Sequence, residues 1–550
     1  MSDLMRMTGM YSGMDTESIV QQLVSVKQTK VTNLKNEQKK LEWKQTAWQD
    51  LNAKIYSLYT KTLSDLRLSG SYKKKKTTCS DTTKVSVTAS GSAVNGTQTL
   101  KVNKLAKSGY LTGAKLESTK TEELKDENGN PVKDSNGNII MKPVDWKTTD
   151  KVSEIDSDLV GKRISVTVGQ GVEAKTKEIE ITNDMTINEF VGELKGAGVN
   201  ASFDEGNQRF FVSSTGTGSA KEFTLTDDSG ALKSLGLEAG ATYANGSTAT
   251  RVAAQDAEIV LNDAVFTSDS NTFNINGLTL NITGETTEAI SIVTTTDYDG
   301  MYDTIKDFFS EYNELINEMD KLYNADSARK YQMLSDDEKE AMSDEEVEQW
   351  EDKIKGALLR KDSSLSSIMN SLISSMSSGY LDTAALSDKE KEAMSASEYA
   401  EWEKKHTKYL SNYGINTLSY FLAKDNEHHS YHIDGDADDE NTAEKEDKLK
   451  AAIAEDPDGT AEFFANLCKA MYTKLDKVMM ERTDYSSVYK VYNDKKLKSE
   501  YDNYTKEISA AEKELSDYED KWYNKFAAME SALAKLQSNA SSVTSMLGSN

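Results

Sequence analysis

The chain has 550 residues, more than one core organises, and points to roughly three or four domains. Its 65 Lys and Arg against 91 Asp and Glu give a net charge of -26, which excludes nucleic acid and anionic membrane as general partners. Two cysteines, Cys79 and Cys468, exclude a disulfide framework, and no apolar run nears the roughly 20 residues of a membrane span.

The opening MSDLMRMTGMYSGMD lacks the apolar core of a secretory signal, so a cytoplasmic protein, or one exported without a cleaved signal peptide, is expected. Asp15 or Thr16 then caps a helix whose first apolar stripe is Ile19, Leu23 and Val26. Leu34, Leu41, Trp48 and Ile55 continue it at seven-residue spacing, while the companion positions hold Gln38, Gln45 and Asn52. A half-polar seam of this kind favours selective, weak pairing over core formation. Leu51, Leu58, Leu63 and Leu66 make the helix sturdier towards its end.

After the lysine run 73–76 the composition turns to alternating polar and β-branched residues, and TTKVSVTASGSAVNGTQTLKVNKLA reads as a β-hairpin turning at Asn95-Gly96. Short strands continue through RISVTVGQ, KEIEIT, ASFDEGNQRFFVSS and KEFTLTDD, with one helix at TINEFVGELKGAG capped by Thr186. The tandem DENGN and DSNGN read as turns of an exposed hairpin; neither has the glycine and terminal glutamate of a calcium loop. Strands resume in AEIVLNDAVFT, NTFNINGLTLNIT and AISIVTTTD, the second turning at Asn276-Gly277. Met301 to Tyr323 is then a helix with a broad apolar face.

A repeat follows at an offset of 52 residues: LSDDEKEAMSDEEVEQWEDKIK from Leu334 and LSDKEKEAMSASEYAEWEKKHTK from Leu386. Each copy carries two Ser-x-x-Glu boxes (Ser335 with Glu338, Ser343 with Glu346; Ser387 with Glu390, Ser395 with Glu398), so each is a pair of short capped helices docking its Met and Trp on a core. In HHSYHIDGDADDE, His428 and His432 have a zinc-compatible spacing but no HExxH glutamate, and the segment reads as a solvated acidic loop. No phosphate loop, GxSxG or Cys/His pairing appears, so neither catalysis nor a cofactor or metal is expected.

The chain closes on Tyr501 to Leu547, where Ile508, Leu515, Trp522, Met529, Leu536 and Val543 recur every seven residues, joined by a patchier Ala511, Tyr518, Ala532 and Met546. Such a helix needs a partner, since ordering each residue costs about 1–2 kcal/mol and only burial of the seam offsets it. The N-terminal stripe is the candidate. The expected fold is a multidomain α+β chain: paired terminal coiled-coil helices and a helical-bundle leg with an inserted β-rich head.

Several stretches resemble the flagellar filament-capping protein family, hook-associated protein 2: the opening TGMYSGMDTESIVQQLVSVKQTKVTNL, the central DAEIVLNDAVFTSDSNTFNINGLTLNIT, then GINTLSYF, KLKAAIAEDPDGTAEFF and the final heptad segment. The expected parts are a coiled-coil portion of the leg at 1–45, its helix and hairpin at 46–110, a head at 111–253, a β segment at 254–299, a helical leg at 300–500 and a coiled coil at 501–550. The resemblance implies an exported, non-catalytic protein at the flagellar tip that forms a homo-oligomeric ring and guides flagellin. It also implies hook-filament junction proteins and an export chaperone for the C-terminal helix as partners. The subunit or flagellin interface is expected at Ile19, Leu23, Val26, Leu34, Leu41, Trp48, Ile508, Leu515, Trp522, Met529, Leu536 and Val543. Another axial flagellar protein, or an adhesin whose head binds mucin or glycan, is the alternative.

Overall fold

The computed structural model describes residues 12–227 and 229–547, with the side chains of 546 and 547 excepted. The first residues of the opening motif and the second-series Met546 therefore lie outside what is described. Residues Lys74–Asp297 form one unit, and the chain up to Lys73 joins the chain from Tyr298 onward in the other.

Helix α1 (Thr16–Ser57) begins at Asp15, whose carboxylate accepts the Ser18 amide at 3.0 Å. It passes through one π-helical turn, Leu58–Thr62, into α2 (Leu63–Leu66). From Trp48 onward α1 enters the core with Leu51, Ile55, Leu58, Leu63 and Tyr72, all buried. Between 32 and 47 its residues are half-buried or exposed, as the glutamines of the seam require.

The Lys74–Asp297 unit holds two cores. In the first, a sheet ordered 75–79, 290–296, 96–104, 257–261, 264–268 shares Val85, Leu100, Val102, Ile259, Leu280 and Ile292 with a second sheet ordered 272–275, 278–282, 85–89. The hairpin expected at Asn95-Gly96 does not form: Val85–Ala89 pairs with Leu278–Ile282, and Gly96–Lys104 pairs with Ile290–Thr296 and Ala257–Leu261. Each of the two strands buries one apolar face in the same core, so they belong to different sheets, and two-residue alternation looks the same in either arrangement. Asn95 instead accepts Lys75 Nζ at 2.8 Å and donates to Thr296 Oγ1 at 3.0 Å. The tight turns are at Asn276-Gly277 and at Asn262-Asp263, where both central residues have positive φ.

The second core contains Trp146, Ile164, Val166, Ile179, Phe190, Phe210 and Phe223. It joins short helices α3 (Val152–Ile155) and α5 (Ala231–Ser234) and the expected helix α4 (Ile187–Gly196), where Thr186 and Glu189 form a reciprocal capping box. DENGN and DSNGN are two copies of one turn, in which Asp126 and Asp134 each accept two amides within four residues.

The other unit continues with α6 (Tyr298–Tyr323), α7 (Asp336–Glu340), α8 (Asp344–Gly356), α9 (Ser363–Met376), α10 (Asp388–Glu392), α11 (Ala396–His406), α12 (Lys448–Glu455), α13 (Pro457–Met480) and α14 (Asp494–Leu547). Phe308, Phe309, Tyr312 and Ile316 of α6, Leu372 of α9 and Phe463, Phe464 and Leu467 of α13 complete the core that α1 and α2 enter. All four capping boxes of the repeat form, giving the pairs α7/α8 and α10/α11.

Candidate docking surface

Beyond the core, α1 and α14 run antiparallel. Trp48 stacks on Tyr492, ring centroids 5.1 Å apart and 6° from coplanar. Gln38 Nε2 donates to Thr505 Oγ1 at 2.7 Å, Lys35 pairs with Glu512 at 2.6 Å, Lys27 and Lys30 both reach Glu514, and Ser12 bonds Glu530. Exposed pairs of this kind add little stability, but their partners descend in one sequence as the other ascends, which sets the register. Lys27 and then Lys30 hold the Glu514 carboxyl below its ordinary range by hydrogen bond and charge.

The seam between the helices buries Val20, Val24 and Val31 on α1 and Ile508 and Ala511 on α14. Leu34 and Leu41 are half-buried. The first expected stripe is displaced by one position: Leu23 is 38% and Val26 79% exposed, and Ile19 is half-buried beside them. Counting back in sevens from Trp48 and Asn52 arrives at Val20, Val24 and Val31, so the stripe continuous with the core takes the seam and the other is left on the flank.

On α14 the buried stripe departs from sevens. Leu515, Trp522, Phe526, Met529 and Leu533 are half-buried and Glu530 is buried, so positions 511, 522 and 533, and 515 and 526, follow an eleven-residue spacing. A straight helix drifts about 20° per heptad from a strict seven-residue repeat, and over the five heptads from Ile508 to Val543 the drift is about 100°. Leu536 and Val543 consequently face solvent at 65% and 54% exposure. Trp522 Nε1 is buried without a hydrogen-bond partner among the described residues.

Asn52 does something seam reasoning did not anticipate. Its Oδ1 accepts the Val491 amide at 2.9 Å and its Nδ2 donates to Tyr489 O at 3.2 Å, tying down the loop that leads into α14. Tyr489 is held at φ 65°, a left-handed conformation an aromatic residue rarely adopts. Next to this knot, Gln45, Gln49, Lys490, Tyr492, Asp494, Lys498 and Tyr501 line a cavity of about 380 Å³. Its amide and charged walls follow from glutamines where a tight coiled coil carries apolar side chains.

The acidic loop organises locally. His432 Nδ1 bonds Asp439 Oδ2 at 2.6 Å, Lys306 bridges Asp436 and Asp438, and His428 stacks on Tyr420. Among the described residues no group of three or more His, Cys, Asp or Glu is placed to hold a metal ion.

A helical core from which α1 and α14 extend as an incompletely buried pair, with a β-rich unit inserted between them in sequence, is the architecture that carries the candidate docking surface. Residues 12–109 match the family model described as Flagellar hook-associated protein 2 N-terminus, and residues 254–538 that described as its C-terminus. The second match alone spans more than half of the chain, and the chain belongs to the flagellar hook-associated protein 2 family. It is 24% identical over 390 residues to Flagellar hook-associated protein 2 of Halalkalibacterium halodurans, covering 66% of this chain and 68% of that one. To the protein of the same name from Thermotoga maritima it is 25% identical over 375 residues, covering 67% of this chain and 53% of that one. The crystal structure of the flagellar cap protein FliD D1-D2-D3 domains from Escherichia coli matches with a TM-score of 0.50 at 20% identity, covering 84% of this chain and 99% of that one. That likeness is one of fold.

Proposed function

We propose that this protein caps the flagellar filament: an exported, non-catalytic protein that assembles with copies of itself at the tip, outside the cell, and guides flagellin subunits into place. Family membership supports the reading, and one observation carries it to particular residues. The α1/α14 pair leaves Leu23 and Val26 on one helix and Leu536 and Val543 on the other exposed, although each is large and apolar. Apolar residues at helical spacing on a thin two-helix arm are suited to a further helix, as in helix-in-groove recognition. The half-polar middle of the seam lets the arm yield, which suits a template that must release each subunit. Hook-filament junction proteins are the neighbours at the start of growth, and an export chaperone that holds the C-terminal helix is the partner before secretion.

The test is a strain whose protein carries Val26→Asp and Leu536→Asp. Both positions are exposed, so folding and export should persist while filament growth and swimming are lost. Normal swimming would refute the assignment.

A further inference from the structure

The loop joining the paired strands Ile415–Thr417 and Tyr431–Ile433 carries, just after the first strand, three consecutive apolar residues, Tyr420, Phe421 and Leu422, that are 75%, 94% and 65% exposed. This tip is shaped in advance. Leu422 and Ala423 both donate amides to Ser419 O, and the Tyr420 ring lies flat on His428 at 4.7 Å. At its base Asn313 of α6 brackets Tyr431, donating to its carbonyl at 2.7 Å and accepting its amide at 2.8 Å, while Ser430 bonds Asn317. An apolar finger so held loses little conformational freedom when it docks.

The same unit displays an apolar patch made of Tyr56, Met480, Tyr485 and Tyr489, all exposed, with Tyr56 and Tyr489 edge to face at 5.5 Å. The charges around the two surfaces are opposite. Between 425 and 447, beside the finger, there are ten carboxylates and one lysine; between 480 and 498, which spans Met480, Tyr485 and Tyr489 of the patch, there are five basic residues and three acidic ones. In a chain of net charge -26 that basic stretch stands out. Placement agrees as well: the finger is anchored on Asn313 and Asn317, while Lys54 of α1 and Thr62 of the π-helical turn after it reach Glu318 and Glu311 of α6. At 100° per residue the two pairs lie about 130° apart around one level of α6.

From these observations we infer that the Tyr420–Leu422 finger of one copy docks on the Tyr56/Met480/Tyr485/Tyr489 patch of the next. Different surfaces meeting head to tail at one level produce a closed ring when the rotation between copies closes. The inference rests on the self-assembly contained in the cap reading. Opposite charge steers the encounter, so assembly weakens with salt.

The experiment uses the purified full chain, followed by sedimentation velocity over a concentration series. Phe421→Ser and Tyr485→Ser should each leave the melting temperature unchanged and weaken assembly about 30-fold, as the loss of an interface hot spot does. Mixed together, the two variants should stop at dimers, since each retains one competent surface. Wild-type protein that remains monomeric throughout would overturn the self-assembly reading and this inference with it. Wild-type assembly with both variants assembling equally well would overturn the inference alone. Normal assembly of the variants with loss of flagellin polymerisation would assign the finger to flagellin and overturn the inference too.

Discussion

Replacing Asn52 with alanine removes both halves of the knot that roots α14. Asn52 is buried, and its amide serves the Val491 N–H at 2.9 Å and the Tyr489 carbonyl at 3.2 Å. The bond to the Tyr489 carbonyl contributes about 1 kcal/mol net, and the buried Val491 amide left without an acceptor costs about 1–3 kcal/mol, so the local loss is about 2–4 kcal/mol. Hydrogen exchange is the suitable assay, since a chain of several cores has no single unfolding free energy. The Val491 amide should exchange about 30-fold faster or more, with the rise spreading into the first turns of α14. Gln38→Ala serves as the control: its bond to Thr505 is exposed, and its loss should change exchange there by no more than about threefold. Unchanged protection of Val491 in Asn52→Ala would show that the Trp48–Tyr492 stack, not the asparagine, roots the helix.

The register of the pair predicts a contrast between adjacent positions: Val24→Ser should destabilise the α1/α14 pair by about 1–3 kcal/mol, whereas Leu23→Ser should stay within about 0.5 kcal/mol, as read from exchange along α1. Acid should loosen the same pair. The Glu514 carboxyl lies below its ordinary 4.5 in the folded state, so its contribution is complete above that value and is lost as the pH falls through the lower folded value. Exchange near Lys27 should rise in that window in wild-type protein and be already raised and flatter with pH in Glu514→Gln.

What could be read from the chain beforehand was what neighbouring residues settle among themselves. The Thr186–Glu189 box, the four Ser-x-x-Glu boxes and the Asn276-Gly277 turn close within four residues and form as expected. The heptads from Leu34 to Ile55 run into the core at Trp48 and Ile55, with which they share a register. Choices that are not local do not show in this way. Ile19, Leu23 and Val26 are as well spaced as Val20, Val24 and Val31, and only continuity with Trp48 decides between them. Leu536 and Val543 fit a seven-residue repeat that a straight helix does not maintain. The strands around Asn95 alternate equally well for a hairpin or for two facing sheets. The exposure of Tyr420, Phe421 and Leu422 goes with a hairpin held at Tyr431 by Asn313, a contact remote in the sequence that no local pattern carries.

The duplicated segment isolates this distinction, because nearly the same sequence meets two surroundings. Both copies close the same box: Ser343 N reaches Glu346 at 2.9 Å and Ser395 N reaches Glu398 at 2.8 Å. Loss of either serine should therefore cost its own helix about 1 kcal/mol. The consequences should diverge beyond that. Helix α8 buries Ile354, places Lys355 Nζ 5.1 Å over the Trp43 ring of α1, and is followed by Asp362, which pairs with Lys44 at 3.0 Å. Helix α11 buries no residue and instead places His406 against Asp382, beside the two-residue ladder of Tyr380–Leu381 with Thr407–Lys408. Ser343→Ala should accordingly speed exchange in α1 around Trp43 and Lys44, in the half-polar zone where the arm is already weak. Ser395→Ala should leave those amides unchanged while loosening residues 396–406 to the same extent as its counterpart loosens α8. Equal effects of the two variants on α1 would mean that the first copy does not brace the arm, and that the repeat acts on the molecule only through its own short helices.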